Sequence, residues 1–194
     1  MTEVTGILLA AGASRRFGAD KLTQALPNGE WVAVRACRNL MSDVDKVLAV
    51  VRPGSDELMA ALKLLGAEVV ICPEAEQGMG VSLAFGVRAA KDADAWLVAL
   101  ADMPWILPTT ITKLADCLRF GALLVAPHWQ QRRGHPVGFG KALGPELMRL
   151  SGDVGARNLI QAHQANLHLL ACDDPGIFKD IDTPVDLQQP LKTL

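Results

Sequence analysis

The stretch VTGILLAAGASRRFGADK, residues 4–21, decides the reading of this chain. Residues 4–11 form an apolar run that reads as a buried β-strand. It opens directly into a loop rich in small residues that carries several cations. Working outward, apolar strand-like runs at 46–52, 67–72, 95–101 and 122–126 alternate with helical patterns at 31–42, 54–66, 78–90 and 109–119. Gly66 closes the second helix, and the fourth strand stops at Asp102-Met103-Pro104. Strands that are apolar throughout and alternate with helices predict an α/β sheet covered on both faces, with ligands at the strand ends. After residue 127 the pattern loosens into HWQQRRGHPVGFG, two short helical stretches and a last strand near 167–172. Segment 128–136 is polar and joins two apolar strands, which makes it the expected mobile segment.

The chain has 194 residues, of which 50% are hydrophobic, enough for one domain with a core of its own. Nineteen Lys and Arg against 21 Asp and Glu give a net charge of −2. That balance lacks the cationic excess a phosphate backbone demands, so nucleic acid is not an expected partner. No apolar run approaches a membrane span, and the cations Arg15 and Arg16 follow the first apolar run instead of preceding it. The expectation is a cytoplasmic protein with no membrane partner. Cys37, Cys72, Cys117 and Cys172 are far apart in sequence, which suits reduced thiols better than a zinc site or a disulfide scaffold.

Within the first loop, Gly12, Ala13, Ser14 and Gly18 let the backbone approach a ligand and turn its N–H groups toward it. Arg16 and Lys21 add positive charge in the same loop, and a triphosphate needs both features. Neither G-x-x-x-x-G-K-[ST] nor G-x-G-x-x-G is present, so an ordinary turn with solvated arginines is the competing reading. Asp102 ends a parallel strand, where a carboxylate faces the ligand crevice; one or two carboxylates plus phosphate oxygens suit Mg²⁺. The plain alternative is that Asp102 caps a turn.

The segment Leu9-Ala10-Ala11-Gly12, Ser14, Arg16-Phe17-Gly18, Lys21 resembles the signature loop of nucleotidyltransferases that activate cofactors and sugars. Asp102-Met103-Pro104, Gly134-His135-Pro136, Gly152-Asp153 through Arg157, and Asp180-Ile181-Asp182 follow in order. Together they are similar to the molybdenum cofactor cytidylyltransferases and the related guanylyl-transferring enzymes, across essentially the whole chain. The Pro-Lys-Gln that follows the first loop in isoprenoid-pathway cytidylyltransferases is absent.

The resemblance implies a three-layer α/β/α Rossmann-like nucleotidyltransferase domain over 1–194 with a mostly parallel mixed sheet. Residues 1–104 would mainly bind nucleotide and 105–194 the acceptor. It implies CMP transfer from CTP to a molybdopterin-type phosphate, with Mg²⁺ as cofactor. Guanylyl transfer from GTP, a sugar or polyol acceptor, and a non-catalytic accessory protein are the alternatives. A recipient molybdoenzyme or its accessory chaperone is the protein partner it suggests. The implied catalytic residues are Arg16, Lys21 and Asp102, with Asp102 and Asp182 as metal ligands. Leu9, Ala10, Ala11, Gly12, Ser14, Gly78 and Ser82 are the implied nucleotide-binding set. Gly134, His135, Pro136, Asp153 and Arg157 are the implied acceptor-binding set.

Several of these residues have simpler readings. Asp153 could cap a helix, His135 could shape a turn, and Gly78 with Ser82 could start a helix. Thr183-Pro184-Val185-Asp186 reads as a capped helix start.

Overall fold

The structure is a computed structural model that describes residues 2–12, 17 and 20–188. Arg16 and Ser14 of the implied site lie outside the described residues. One sheet carries the fold. Its strands are β1 (Val4–Ala10), β2 (Lys46–Val51), β3 (Glu68–Ile71), β4 (Ala95–Leu100), β5 (Leu124–Trp129), β6 (Arg132–Arg133), β7 (Val137–Gly140) and β8 (Leu167–Ala171). The helices are α1 (Val32–Leu40), α2 (Asp56–Leu65), α3 (Met79–Ala89), α4 (Pro108–Arg119), α5 (Gly144–Leu147) and α6 (Arg157–Ala162). Among the described residues, no helix is long and apolar enough to cross a membrane.

The sheet order is β3-β2-β1-β4-β7-β5-β6, with β8 pairing β5 in parallel. β1, β2, β3 and β4 are parallel, whereas β7 runs antiparallel between β4 and β5. The chain therefore moves outward from β1 to β3 and then returns to β1's other side with β4. That reversal makes the C-terminal ends of β1 and β4 the switch point where α/β sheets bind ligands.

Strand periodicity builds the two outer layers. Val47, Ala49 and Val51 of β2, with Leu97 and Ala99 of β4, pack beneath α1, α2 and α4. Leu48, Val50, Trp96 and Val98 face α3, α5 and α6. Successive side chains of a strand point to opposite faces, so a wholly apolar strand is the sequence signature of a sheet covered twice. Gly86 lets α3 lie close on the sheet: a Cβ there would meet Val50 at 2.7 Å. Gly66 ends α2 at φ +105, as the sequence predicts. Cys37 and Cys72 are buried, and all four cysteines are free thiols.

The sequence reading misses β6; the apolar strand it expects after 136, without bounds or direction, is β7, the antiparallel member that makes the sheet mixed. β7 is four residues with two glycines, too short and too weakly patterned to show periodicity. The segment 128–136 is also tied down at its far end: Gly134 N–H donates to Pro127 O and His135 N–H to Ile177 O.

The chain after β8 is fastened to the start of α4 through Asp174, which is buried. Its carboxylate accepts from Leu107 N–H at 2.9 Å, Thr110 Oγ1 at 2.7 Å and Gly176 N–H at 2.9 Å. Asp174→Ala would strand these donors in the interior. The expected loss is about 3 kcal/mol of stability, read by urea denaturation, since leaving buried partners of a charged acceptor unpaired costs on that order. A loss below about 1 kcal/mol would refute this role.

Candidate active site at the ends of β1 and β4

Lys21 follows β1 on a single 3-10 turn, Lys21–Thr23, whose N-cap is Asp20. Its Nζ lies 2.8 Å from Asp102 Oδ2 and 3.0 Å from Asp182 Oδ1. Burial alone would lower the Lys21 pKa; the Asp102 and Asp182 carboxylates outweigh it and hold the ammonium above its ordinary value. Asp102 follows β4. Two contacts fix the chain around it: Asn39 Nδ2, buried in α1, donates to Pro104 O and Ile106 O, both at 2.9 Å. Ile181 N–H donates to Asp102 O at 2.9 Å, and the Ile181 side chain is buried.

That last bond draws Asp180 and Asp182 to either side of the Asp102 backbone. Burial, and then the Asp182 and Asp102 charges, push the Asp180 carboxyl above the usual range. The turn after Asp182 is capped as the sequence predicts. Asp186 Oδ2 accepts from Asp182 N–H, Thr183 N–H and Thr183 Oγ1.

Asp102 Oδ1 is buried and has no hydrogen-bond partner among the described residues. A buried carboxylate oxygen without a donor is costly unless a cation completes it. Among the described residues, Asp102, Asp180 and Asp182 gather carboxylate oxygens around the Lys21 ammonium. An all-oxygen, carboxylate-rich donor set fits a hard divalent cation. Among the described residues, no group of three His, Cys, Asp or Glu is already arranged to hold a metal. A hard divalent cation held here would therefore need further oxygen ligands, such as phosphate oxygens and water.

A cleft of about 480 Å³ opens beside this cluster. Leu9, Ala11, Gly12, Lys21, Gly78, Ser82 and Asp102 line it, all of them implied by the sequence. Ala10 does not: its side chain is buried in the layer beneath α1 and α2, because strand alternation sends it to the opposite face. Asp153 lines this cleft as well, on the wall formed with Gly78, so it stands with the nucleotide set instead of apart from it. Gly78 has φ +124, and a Cβ there would run into the backbone of Gly152 and lie 2.5 Å from Asp153 Oδ1. Gly80 N–H donates to Gly152 O at 2.8 Å. The glycines thus serve to dock the 151–153 loop against the start of α3. Ser82 is buried, with its N–H and hydroxyl turned toward Gly78 O.

Gly134, His135, Pro136 and Arg157 do not line this cleft. Continuing the β4–β7 register from Val98↔Val137 brings residues 133–135 alongside the C-terminal end of β4, on the side of Asp102 away from β1. A Cβ on Gly134 would meet Ile177 at 2.6 Å. Burial and the Arg133 charge push the His135 imidazole below its ordinary range, against the opposing pull of Asp102. Arg157 opens α6 and is exposed. Arg52 and Glu76 line the cleft without having been singled out in the sequence, where each is one charged residue among many.

A mostly parallel sheet with a cleft at its switch point, and an ammonium flanked by carboxylates at the mouth of that cleft, define an α/β protein with a charged site where such sheets bind ligands. The chain belongs to the MobA-like NTP transferase domain family, whose model matches residues 6–177. The nicotine blue oxidoreductase of Paenarthrobacter nicotinovorans is 30% identical, over 93% of this chain and 92% of its own. Purine catabolism protein PucB of Bacillus subtilis (strain 168) is 32% identical, over 92% of this chain and 91% of its own. A probable molybdenum cofactor guanylyltransferase of Geobacillus sp. (strain WCH70) is 32% identical over 65% of each chain. The crystal structure of Rv0371c from Mycobacterium tuberculosis H37Rv superposes with a TM-score of 0.84 at 26% identity, covering 95% of both chains. A complex of Rv0371c with manganese superposes at 0.76 with 25% identity, over 95% of this chain and 96% of that one.

The contact between Gly78 and the 151–153 loop yields a direct check. Gly78→Ala should lower stability by about 1–3 kcal/mol, since it strains a left-handed residue and displaces the loop. It should also weaken nucleoside triphosphate binding, measured by calorimetry. Unchanged stability and affinity would show that the loop does not depend on this close approach.

Proposed function

We propose that the protein transfers CMP from CTP to the phosphate of a molybdopterin-type cofactor and releases pyrophosphate. The observation that carries this reading is the placement of Lys21 between Asp102 and Asp182 at the mouth of the β1–β4 cleft. An oxygen of the acceptor phosphate attacks the α-phosphorus of CTP, and the bond from that phosphorus to the bridging oxygen of pyrophosphate breaks. The protein's task is alignment and charge neutralisation. Lys21, with Arg16 from the same loop, neutralises charge on the α-phosphate and the departing pyrophosphate. Gly12 and Ala11 offer a close backbone approach at the end of β1. Asp102 and Asp182 would hold Mg²⁺, which supplies Lewis-acid neutralisation of the phosphates when bound. An acceptor phosphate that is already ionised requires no general base. The family membership and the manganese bound by Rv0371c support this reading. It is a cytoplasmic activity, since its nucleotide substrate is a cytoplasmic one.

Asp102→Asn should reduce turnover by about a hundredfold to a thousandfold, the cost of losing one electrostatic contact to the transition state. Its fold should persist, because Lys21 retains Asp182. Asp182→Asn should be milder, since an amide oxygen can still ligate a metal, and Asp182→Ala should be severe. Pyrophosphate release reads the rates and circular dichroism reads the fold. Near-normal turnover of Asp102→Asn would remove Asp102 from the mechanism.

The base is argued from Ala11, which lines the cleft where guanylyl-transferring relatives carry a second glycine in their loop. A Cβ there takes room that a purine needs, and a clash excludes more strongly than a missing contact. Initial rates with reduced pterin cofactor and Mg²⁺ should rank CTP above GTP and ATP. The Geobacillus relative's name favours guanylyl transfer as the second reading. A preference for GTP would establish that second reading and leave nucleotidyl transfer in place.

A further inference from the structure

Lys21 stands on a turn of three residues, and a single 3-10 turn has little stability of its own. Its ammonium nonetheless has to meet two carboxylates that come from distant parts of the chain. Two kinds of anchor on the turn are apolar or local: Leu22 is buried in the core, while Thr23 Oγ1 and Gln24 Nε2 donate to Asp20 O at 3.2 and 3.0 Å and Val32 N–H donates to Gln24 O at 3.0 Å. A third is ionic and reaches the sheet. Asp20 Oδ1 accepts from Leu22 N–H at 3.1 Å, while Asp20 Oδ2 pairs with Arg52 Nη2 at 3.2 Å. Both side chains are about two-thirds or more buried, with 28% and 30% exposure.

Arg52 directly follows β2, whose Val51 pairs with Ala10 of β1. It is therefore level with Ala11, one strand from the loop that it braces. On the other side of β1, Leu9 pairs with Leu100, which puts Asp102 level with Ala11 as well. Arg52 and Asp102 thus stand at the same height on the two strands flanking β1, separated by about 10 Å at the usual strand spacing. The Lys21 turn spans the gap between them. One end is tied to β2 through Asp20, and the ammonium reaches Asp102 beyond β4.

We infer that the Arg52–Asp20 ion pair is a positioning device for Lys21, fixing the turn that delivers its ammonium to the reacting phosphates. The inference rests on the role proposed for Lys21 above. Arg52 acts through Asp20, and Asp20 through the backbone of the turn, so neither is a catalytic residue.

The test uses Arg52→Gln, Arg52→Lys, Asp20→Asn and the double variant Asp20→Asn/Arg52→Gln in the full chain. Arg52→Gln and Asp20→Asn should each lower kcat by about tenfold to a hundredfold, the range expected when a reacting group is misplaced by up to an ångström. The Kd for CTP should change less than twofold. Arg52→Lys should recover most of the rate, and the double variant should be no slower than the slower single one. A second readout needs no turnover. Exchange of the Leu22 amide, followed by NMR in the ligand-free protein, should accelerate at least severalfold in Arg52→Gln.

A raised CTP Kd with unchanged kcat in Arg52→Gln would overturn the inference and make Arg52 a nucleotide contact. Additive losses in the double variant would overturn it too, as would an unchanged Leu22 exchange rate. If the unaltered protein releases no pyrophosphate with any nucleotide, the proposed reaction fails, while Leu22 exchange still decides whether the pair holds the turn.

Discussion

The site depends on one ammonium held between two carboxylates, Lys21 between Asp102 and Asp182. The three residues come from the first loop, the middle of the chain and its last described turn. The two carboxylates repel each other, and the ammonium between them offsets that repulsion. The surrounding structure supplies that placement through ties to rigid elements. β4 and the Asn39 clamp hold Asp102, the buried Ile181 holds Asp182, and the core contact of Leu22 holds the turn of Lys21. Such charges are kept partly buried only because their partners are fixed first.

The sheet's order explains where this trio forms. Moving from β1 outward to β3 and then back to β4 on the other side leaves a crevice at the ends of β1 and β4. Ala11 and Gly12 line that crevice at the end of β1, and Asp102 meets them from β4. The apolar strands make this arrangement rigid, since both faces are packed under helices. The polar groups of the site therefore stand at the edge of a closely packed platform.

Strand and helix positions were legible because β1, β2, β4, α1, α2, α3 and α4 are long enough to show a period and carry clear stop signals such as Gly66. β7 was legible only as an apolar strand after 136, without bounds or direction, being four residues long with two glycines. The cleft lining was legible where chemistry and spacing coincide, at Gly12, Lys21 and Asp102. It was illegible for Ala10, whose side chain points away, because a motif quoted as consecutive letters ignores strand alternation. Asp153 could be singled out but not assigned to a wall, since its place depends on the docking of its loop against Gly78. Arg52, Asn39 and Asp174 act through long-range contacts, and nothing in their neighbours along the chain marks such contacts.

Lys21 resolves two problems with one side chain. Without ligand, its ammonium offsets the repulsion between Asp102 and Asp182 and keeps the end of the chain docked on β4. On the proposed reading, a nucleotide would bring phosphate oxygens that compete for the same ammonium, and each oxygen gained would free carboxylate charge at Asp102 and Asp182. The freed carboxylates, one of them with a buried oxygen already lacking a donor among the described residues, would then favour a divalent cation more strongly than before. Binding of the anion and of the cation would thereby reinforce each other by electrostatics. A neutral side chain at position 21 could neither hold the empty site together nor couple the two ligands. An arginine would spread the charge over a wider fork that fits the gap between two single oxygens less well.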